Sequence, residues 1–192
     1  MADSAKRSAT YADLEAVPPH LVAEIIHGTL VTHPRPAPRH SVAASGLGAS
    51  IVPGYQWGKS GPGGWIFMDE PELHLGPHVV VPDLAGWRRE RLPRLPDTAY
   101  IDIPPDWVCE VLSDSTESYD RNAKRAIYGE AGVPFLWLLD PRGKFLEVFQ
   151  LTAGHWLLVR TFTGDDEIRA VPFEAIAFPL GQLWPLDQPD AS

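Results

Sequence analysis

Two acidic residues stand where apolar strands would otherwise run on. Val79-Val80-Val81 leads into Pro82-Asp83, and Glu110 lies inside Trp107-Val108-Cys109-Glu110-Val111-Leu112. A carboxylate within a strand-like apolar run costs free energy unless it has a partner. Two of them on neighbouring strands would meet at one point and repel one another. A hard cation bound through oxygen relieves both. Lys124 follows on the next helical segment. An Asp, a Glu and a Lys in that order point to metal-dependent phosphodiester hydrolysis.

At 192 residues the chain is expected to form one domain. We place it at 10–187, with a flexible tail at 1–9 and another at 188–192. The 44% hydrophobic and 21% charged residues suit a globular chain with a real core. The single Cys109 rules out an internal disulfide and, lying in an apolar run, reads as an inert buried thiol. Met1 to Thr10 is polar and lacks the apolar centre of a signal peptide. No apolar stretch approaches the ~20 residues needed to span a membrane. The expectation is a soluble, cytoplasmic protein. A net charge of -9 argues against a non-specific nucleic-acid coat protein but leaves room for a nuclease.

Thr10-Tyr11-Ala12-Asp13 reads as a capping box that opens a short helix ending before Pro18-Pro19. Leu21–Ile26 and Thr29–Thr32 flank His27-Gly28 as a hairpin, and Pro34–Pro38 reads as a stiff linker. A helix is expected from Arg39 to about Val52. Strands are expected at Trp65–Met68, Glu72–Leu75, Val79–Trp87 and Trp107–Leu112, with a surface loop from Arg88 to Pro105. A helix over Tyr119–Ala131 ends at Gly132, Val133–Leu139 reads as a buried strand, and hairpins follow. This order predicts an α/β (α+β) fold with a mixed central sheet flanked by helices and extra terminal hairpins.

If the Asp83 and Glu110 strands pair, both carboxylates leave the same sheet edge. Two hard oxygen ligands plus waters suit Mg²⁺, or Mn²⁺ in its place. Asp120, Lys124 and Tyr128 are four apart and share one helix face. Lys124 could orient the attacking water or stabilise charge on the phosphorane.

At these residues the chain resembles the PD-(D/E)XK nuclease superfamily, and more closely a bacterial restriction-endonuclease-like family within it. The matching stretches are Glu24 to Leu30, Arg39-His40-Ser41, Val81-Pro82-Asp83-Leu84, Cys109 to Ser113, Asp120 to Lys124 with Tyr128, and Gly132 to Pro141. The resemblance covers roughly residues 10–150. It implies a restriction-endonuclease-like core, Asp83 and Glu110 as metal ligands, and Glu24 as a third acid near the metal. The superfamily places its Lys two residues after the second acid, where this chain has Leu112. The closer family commonly carries that Lys on the following helix, which Lys124 matches.

His40 heads a helix and is either a capping or solvent-facing residue or a phosphate contact. Ser113 reads as a helix cap rather than a nucleophile, and Asp69 and Glu72 as a solvent-facing rim rather than a further acid. Arg88, Arg89, Arg91 and Arg94 form the best basic patch, read either as a DNA-backbone contact or as surface solubility. The first functional reading is a Mg²⁺-dependent endonuclease-like domain acting on DNA, assembled as a homodimer so that two sites cut two strands. The rivals are a catalytically degenerate binding or assembly protein on the same fold, and a hydrolase of another phosphate ester.

Overall fold

Thr10 and Asp13 exchange the two hydrogen bonds of a capping box, which opens helix α1 (Tyr11–Glu15). This computed structural model describes residues 7–187; the remainder of the two expected tails, 1–6 and 188–192, lies outside the described residues. The Ala9 amide donates to the Gly28 carbonyl at 2.8 Å. Strands β1 (Leu21–Ile26) and β2 (Thr29–Pro34) form the expected hairpin. His27 at φ 49° and Gly28 at φ 72° supply the two left-handed residues that a tight two-residue turn needs.

Helix α2 (Pro38–Tyr55) begins on a proline, whose missing N–H costs nothing at that position. It runs past the expected Val52 because Pro53 falls in the last turn, and the buried Tyr55 beyond it is anchored in the core. The expected Pro34–Pro38 linker is shorter in consequence. Then follow β3 (Trp65–Asp69), β4 (Leu73–Leu75), β5 (His78–Val80), β6 (Leu84–Arg88) and β7 (Trp107–Val111). A π-helical stretch, Tyr119–Lys124, continues directly into α3 (Arg125–Glu130). The chain ends in β8 (Phe135–Asp140), β9 (Phe145–Thr152), β10 (His155–Thr163), and the short pair β11 (Glu167–Ile168) and β12 (Phe178–Pro179).

The central sheet has six strands in the order β10-β9-β8-β7-β6-β3. Only β7 and β8 are parallel, joined by the crossover through the π-helical stretch and α3, so the sheet is mixed as expected. A second sheet, β2-β1-β5-β4, is antiparallel throughout. Val79 to Trp87, read from sequence as one strand, is therefore two strands in two sheets. Proline lacks the N–H a central strand needs, and the chain changes sheets at Val81-Pro82-Asp83.

The period of two in β7 separates the two cores. Trp107, Cys109 and Val111 face the cluster that includes Ala43, Leu47, Ile51 and Tyr55 of α2. Val108 and Leu112 face the other cluster, with Ile127 and Tyr128 of α3. Glu110 has the parity of Val108 and Leu112, so it points into the layer beneath the crossover helix. That layer also receives β1.

Candidate active site

Four elements bring carboxyl groups to one place. Glu110 comes from β7, Asp83 from the corner before β6, Glu24 from β1 and Asp120 from the π-helical stretch; together with Lys124, His33 and His40 they line a narrow cleft of about 50 Å³. Asp83 stands beside the end of β7 because β6 and β7 are antiparallel, with Leu84 opposite Cys109. Its Oδ2 accepts the Val111 amide at 2.6 Å, and His40 Nε2 stands 3.0 Å from its Oδ1. Asp83 and Glu110 thus line one cleft, with His40 of α2 against the first acid.

The Lys124 ammonium sits among the other acids. It lies 2.9 Å from Glu110 Oε1, 3.1 Å from Glu24 Oε1 and 3.5 Å from Asp120, and donates to the Val81 carbonyl at 3.0 Å. Lys124 is 4% exposed and Glu110 1%. The Tyr128 hydroxyl also donates to Glu110 Oε1. All three residues at the spacing of four, Asp120, Lys124 and Tyr128, are buried and inward. A π turn within a helix is uncommon and often marks a functional site; here it carries two of the three.

A lysine two residues after Glu110 would have shared its face of the strand. Leu112 holds that position and packs in the apolar cluster beside Ile127 and Tyr128. Lys124 reaches the same layer from above, because its long stem can cross apolar surface to deliver the charge. Glu110 therefore does not face its neighbours across an empty gap; an internal cation lies against it, Glu24 and Asp120.

Burial sets the electrostatics. It is the largest influence on Glu110 and raises its pKa well above the carboxylate range, with Asp120 and Asp83 adding to the rise. Burial likewise raises Asp120. Burial alone would raise Glu24 too, but the Lys124 charge, the His33 ring and the Val81 amide outweigh it, and its pKa falls to about 2. Burial would strip Lys124 of its proton, yet Glu110 and Glu24 hold the ammonium well above its ordinary range. Cys109 is fully buried and its thiol is pushed up by burial, consistent with the inert residue expected.

His33 was missed in the sequence, though it lies 3.4 Å from Glu24 Oε2. The tight His27-Gly28 turn fixes the register, placing Val31 opposite Glu24 and His33 opposite Val22. Counting back from that turn would have found it. Arg88, Arg89 and Arg91 are not brought to the cleft. Arg88 ends β6, about 17 Å from Asp83 at the rise of a strand, and Arg89 and Arg91 follow in the turn beyond it. There the Arg88 guanidinium covers Trp65, and Arg91 pairs with Asp106 at 2.8 Å. Asp69 is at the end of β3 on a neighbouring groove, and Glu72 bonds Tyr11 and His74.

Among the described residues no three His, Cys, Asp or Glu side chains close on one point as a ready metal cage. Mg²⁺ seldom asks for one: it keeps several waters and takes one or two carboxylates. Three carboxyls surround the Lys124 ammonium and Asp83 faces His40; Asp83 and Glu110 line the one cleft as hard oxygen donors. The residues present suit a hard divalent cation.

The family model described as "Uma2: Putative restriction endonuclease" matches residues 8–181. The chain belongs to that family. Its fold is that of nuclease-like relatives. A crystal structure titled as a putative nuclease of DUF820 from Anabaena variabilis superposes with a TM-score of 0.72 at 20% identity, over 92% of this chain and 98% of that one. No curated protein matches the chain. No helix among the described residues is long and apolar enough to cross a membrane.

Proposed function

We propose that this family member is a Mg²⁺- or Mn²⁺-dependent endonuclease-like hydrolase of DNA phosphodiesters. The observation that carries the reading is the buried Lys124 ammonium among Glu24, Glu110 and Asp120, with Asp83 beside them at the sheet edge. Asp83 and Glu110 would hold the cation, which when bound supplies a Lewis acid and a water of lowered pKa.

The chain's own groups have separable tasks. His40 and the Val111 amide orient Asp83, and Tyr128 orients Glu110. Lys124 keeps its proton, so it acts as fixed positive charge and hydrogen-bond donor toward the attacking water or the phosphorane oxygens, not as a base. Glu24 and Asp120 hold Lys124 in place. Arg88, Arg89 and Arg91 would touch DNA only where it extends well beyond the cleft. A homodimer would place two such clefts on two strands; the edge strand β10, with Leu157, Leu158 and Val159 exposed, is a surface such pairing could use.

Plasmid cleavage with Mg²⁺ and Mn²⁺, beside calorimetric Mn²⁺ titration, tests this. Asp83→Asn is expected to lose both Mn²⁺ binding and cleavage while circular dichroism stays native. Mn²⁺ binding with unchanged affinity in Asp83→Asn and in Glu110→Gln would remove the metal site. Absence of cleavage by the native chain with either ion would favour the degenerate-fold rival.

A further inference from the structure

Beside the acid cleft runs a wider groove of about 560 Å³. His40 and Asp83 line both, so the two are continuous. Helix α2 forms one side, presenting Ser41, Ala44, Ser45 and Gly48, and Trp57 closes the far end. At the rise of a helix, His40 and Trp57 are about 25 Å apart.

Trp57 stands out among the tryptophans. Five of the seven are buried and Trp156 is half-buried with its indole N–H bonded to the Arg125 carbonyl; Trp57 is 59% exposed. Lys59 places its ammonium 5.2 Å from the Trp57 ring centroid. The cation lies over one face of the ring; an aromatic this exposed offers its other face to a nucleic-acid base, with the charge near the base's phosphate. At the other end, His40 is 8% exposed and its Nδ1 has no hydrogen-bond partner, a polar atom left unsatisfied where groove meets cleft.

We propose that this groove binds a single strand of nucleic acid, one base stacked on Trp57 and a downstream phosphate at Asp83. The inference rests on the phosphodiesterase reading and narrows its substrate to one strand, in place of the two strands a paired dimer would cut. Charge favours one strand over two. A duplex carries a phosphate charge about every 1.7 Å and a single strand about every 3.4 Å, so a chain of net charge -9 repels the duplex more. The far wall of the groove is also acidic, with Asp69 and Glu70, the latter shared with Arg35 at 3.4 Å. Stacking holds a strand without calling on basic charge, and small residues on α2 leave room for the sugar-phosphate chain.

The test uses the whole protein in Ca²⁺, with a fluorescein-labelled oligothymidylate of about eight nucleotides, the scale of such sites. Anisotropy and tryptophan quenching are read together. The native chain is expected to bind with quenching. Trp57→Ala should weaken binding roughly ten-fold or more and remove most of the quenching, while Trp57→Phe keeps most of the affinity. A blunt duplex of equal length should compete poorly. Equal affinity in Trp57→Ala, no binding by the native chain, or displacement by duplex at equal or lower concentration overturns the proposal. Binding through Trp57 without cleavage in Mg²⁺ or Mn²⁺ would sink the phosphodiesterase reading alone. Cleavage with Trp57-independent binding would sink this one alone.

Discussion

Replacing Lys124 with Met keeps the stem and deletes the charge, and the structure sets how much that should cost. The ammonium lies 2.9, 3.1 and 3.5 Å from Glu110, Glu24 and Asp120. At an effective dielectric of ~20, a pair about 3 Å apart attracts by about 5 kcal/mol. Desolvating the buried ammonium offsets much of that sum, and Glu110, whose pKa burial already raises against the pull of Lys124, takes up a proton more readily once that charge is gone. What remains is the measured range for breaking a buried pair from one side, about 3–5 kcal/mol. At roughly 2–4 °C per kcal/mol for a domain of this size, Lys124→Met should melt about 6–20 °C below the native chain in EDTA. Mn²⁺ should narrow that gap, because a second cation neutralises the same acids. Lys124→Met with Glu110→Gln should recover a good part of the loss, since the charge left stranded is removed as well. Thermal melts followed by circular dichroism read all of this. A Lys124→Met melt within 2 °C of native in EDTA, or a strictly additive double variant, would refute the reasoning, because the acids would then not depend on this ammonium.

Two further outcomes follow from the same geometry. Glu24 has its folded pKa depressed from 4.5 to about 2, so it stabilises the fold above its unfolded value and that stability is lost as pH falls from about 4.5 toward 2. Glu24→Gln should therefore lose on the order of 3 kcal/mol at neutral pH, and urea melts at neutral and acid pH should show its gap from the native chain closing on acidification; a constant gap would contradict it. Arg88 sits about 17 Å from Asp83 along β6, with Arg89 and Arg91 in the turn beyond, so replacement of the three by Ala should flatten the salt dependence of binding to long DNA and leave binding to a short oligonucleotide unchanged; equal effects on both would place the patch nearer the cleft than β6 allows.

The local chemistry of the chain by itself determined a good deal. Thr10 and Asp13 can cap only a helix start, and His27-Gly28 can make only a tight hairpin, so α1, β1 and β2 were legible from neighbouring residues. The polar interruptions at Asp83 and Glu110, and the spacing of Asp120, Lys124 and Tyr128, marked the candidate site because buried charge is costly wherever the chain goes. Tertiary structure alone decided how that cost is met. Pro82 marks a break within Val79 to Trp87, but no local residue says which sheet each half joins, and that crossing at Val81-Pro82-Asp83 brings Glu24 and the Val81 carbonyl to Lys124. The sequence allowed Lys124 to act outside a bare pair of acids; packing of the crossover helix on β7 put its ammonium against Glu110, Glu24 and Asp120 instead. The fold also left Arg88 at the opposite end of β6, with Arg89 and Arg91 in the turn beyond, and Trp57 open at the end of a groove. Capping, turns and strand alternation arise between residues close in the chain, whereas the partner of a buried charge comes from whichever distant element is packed against it.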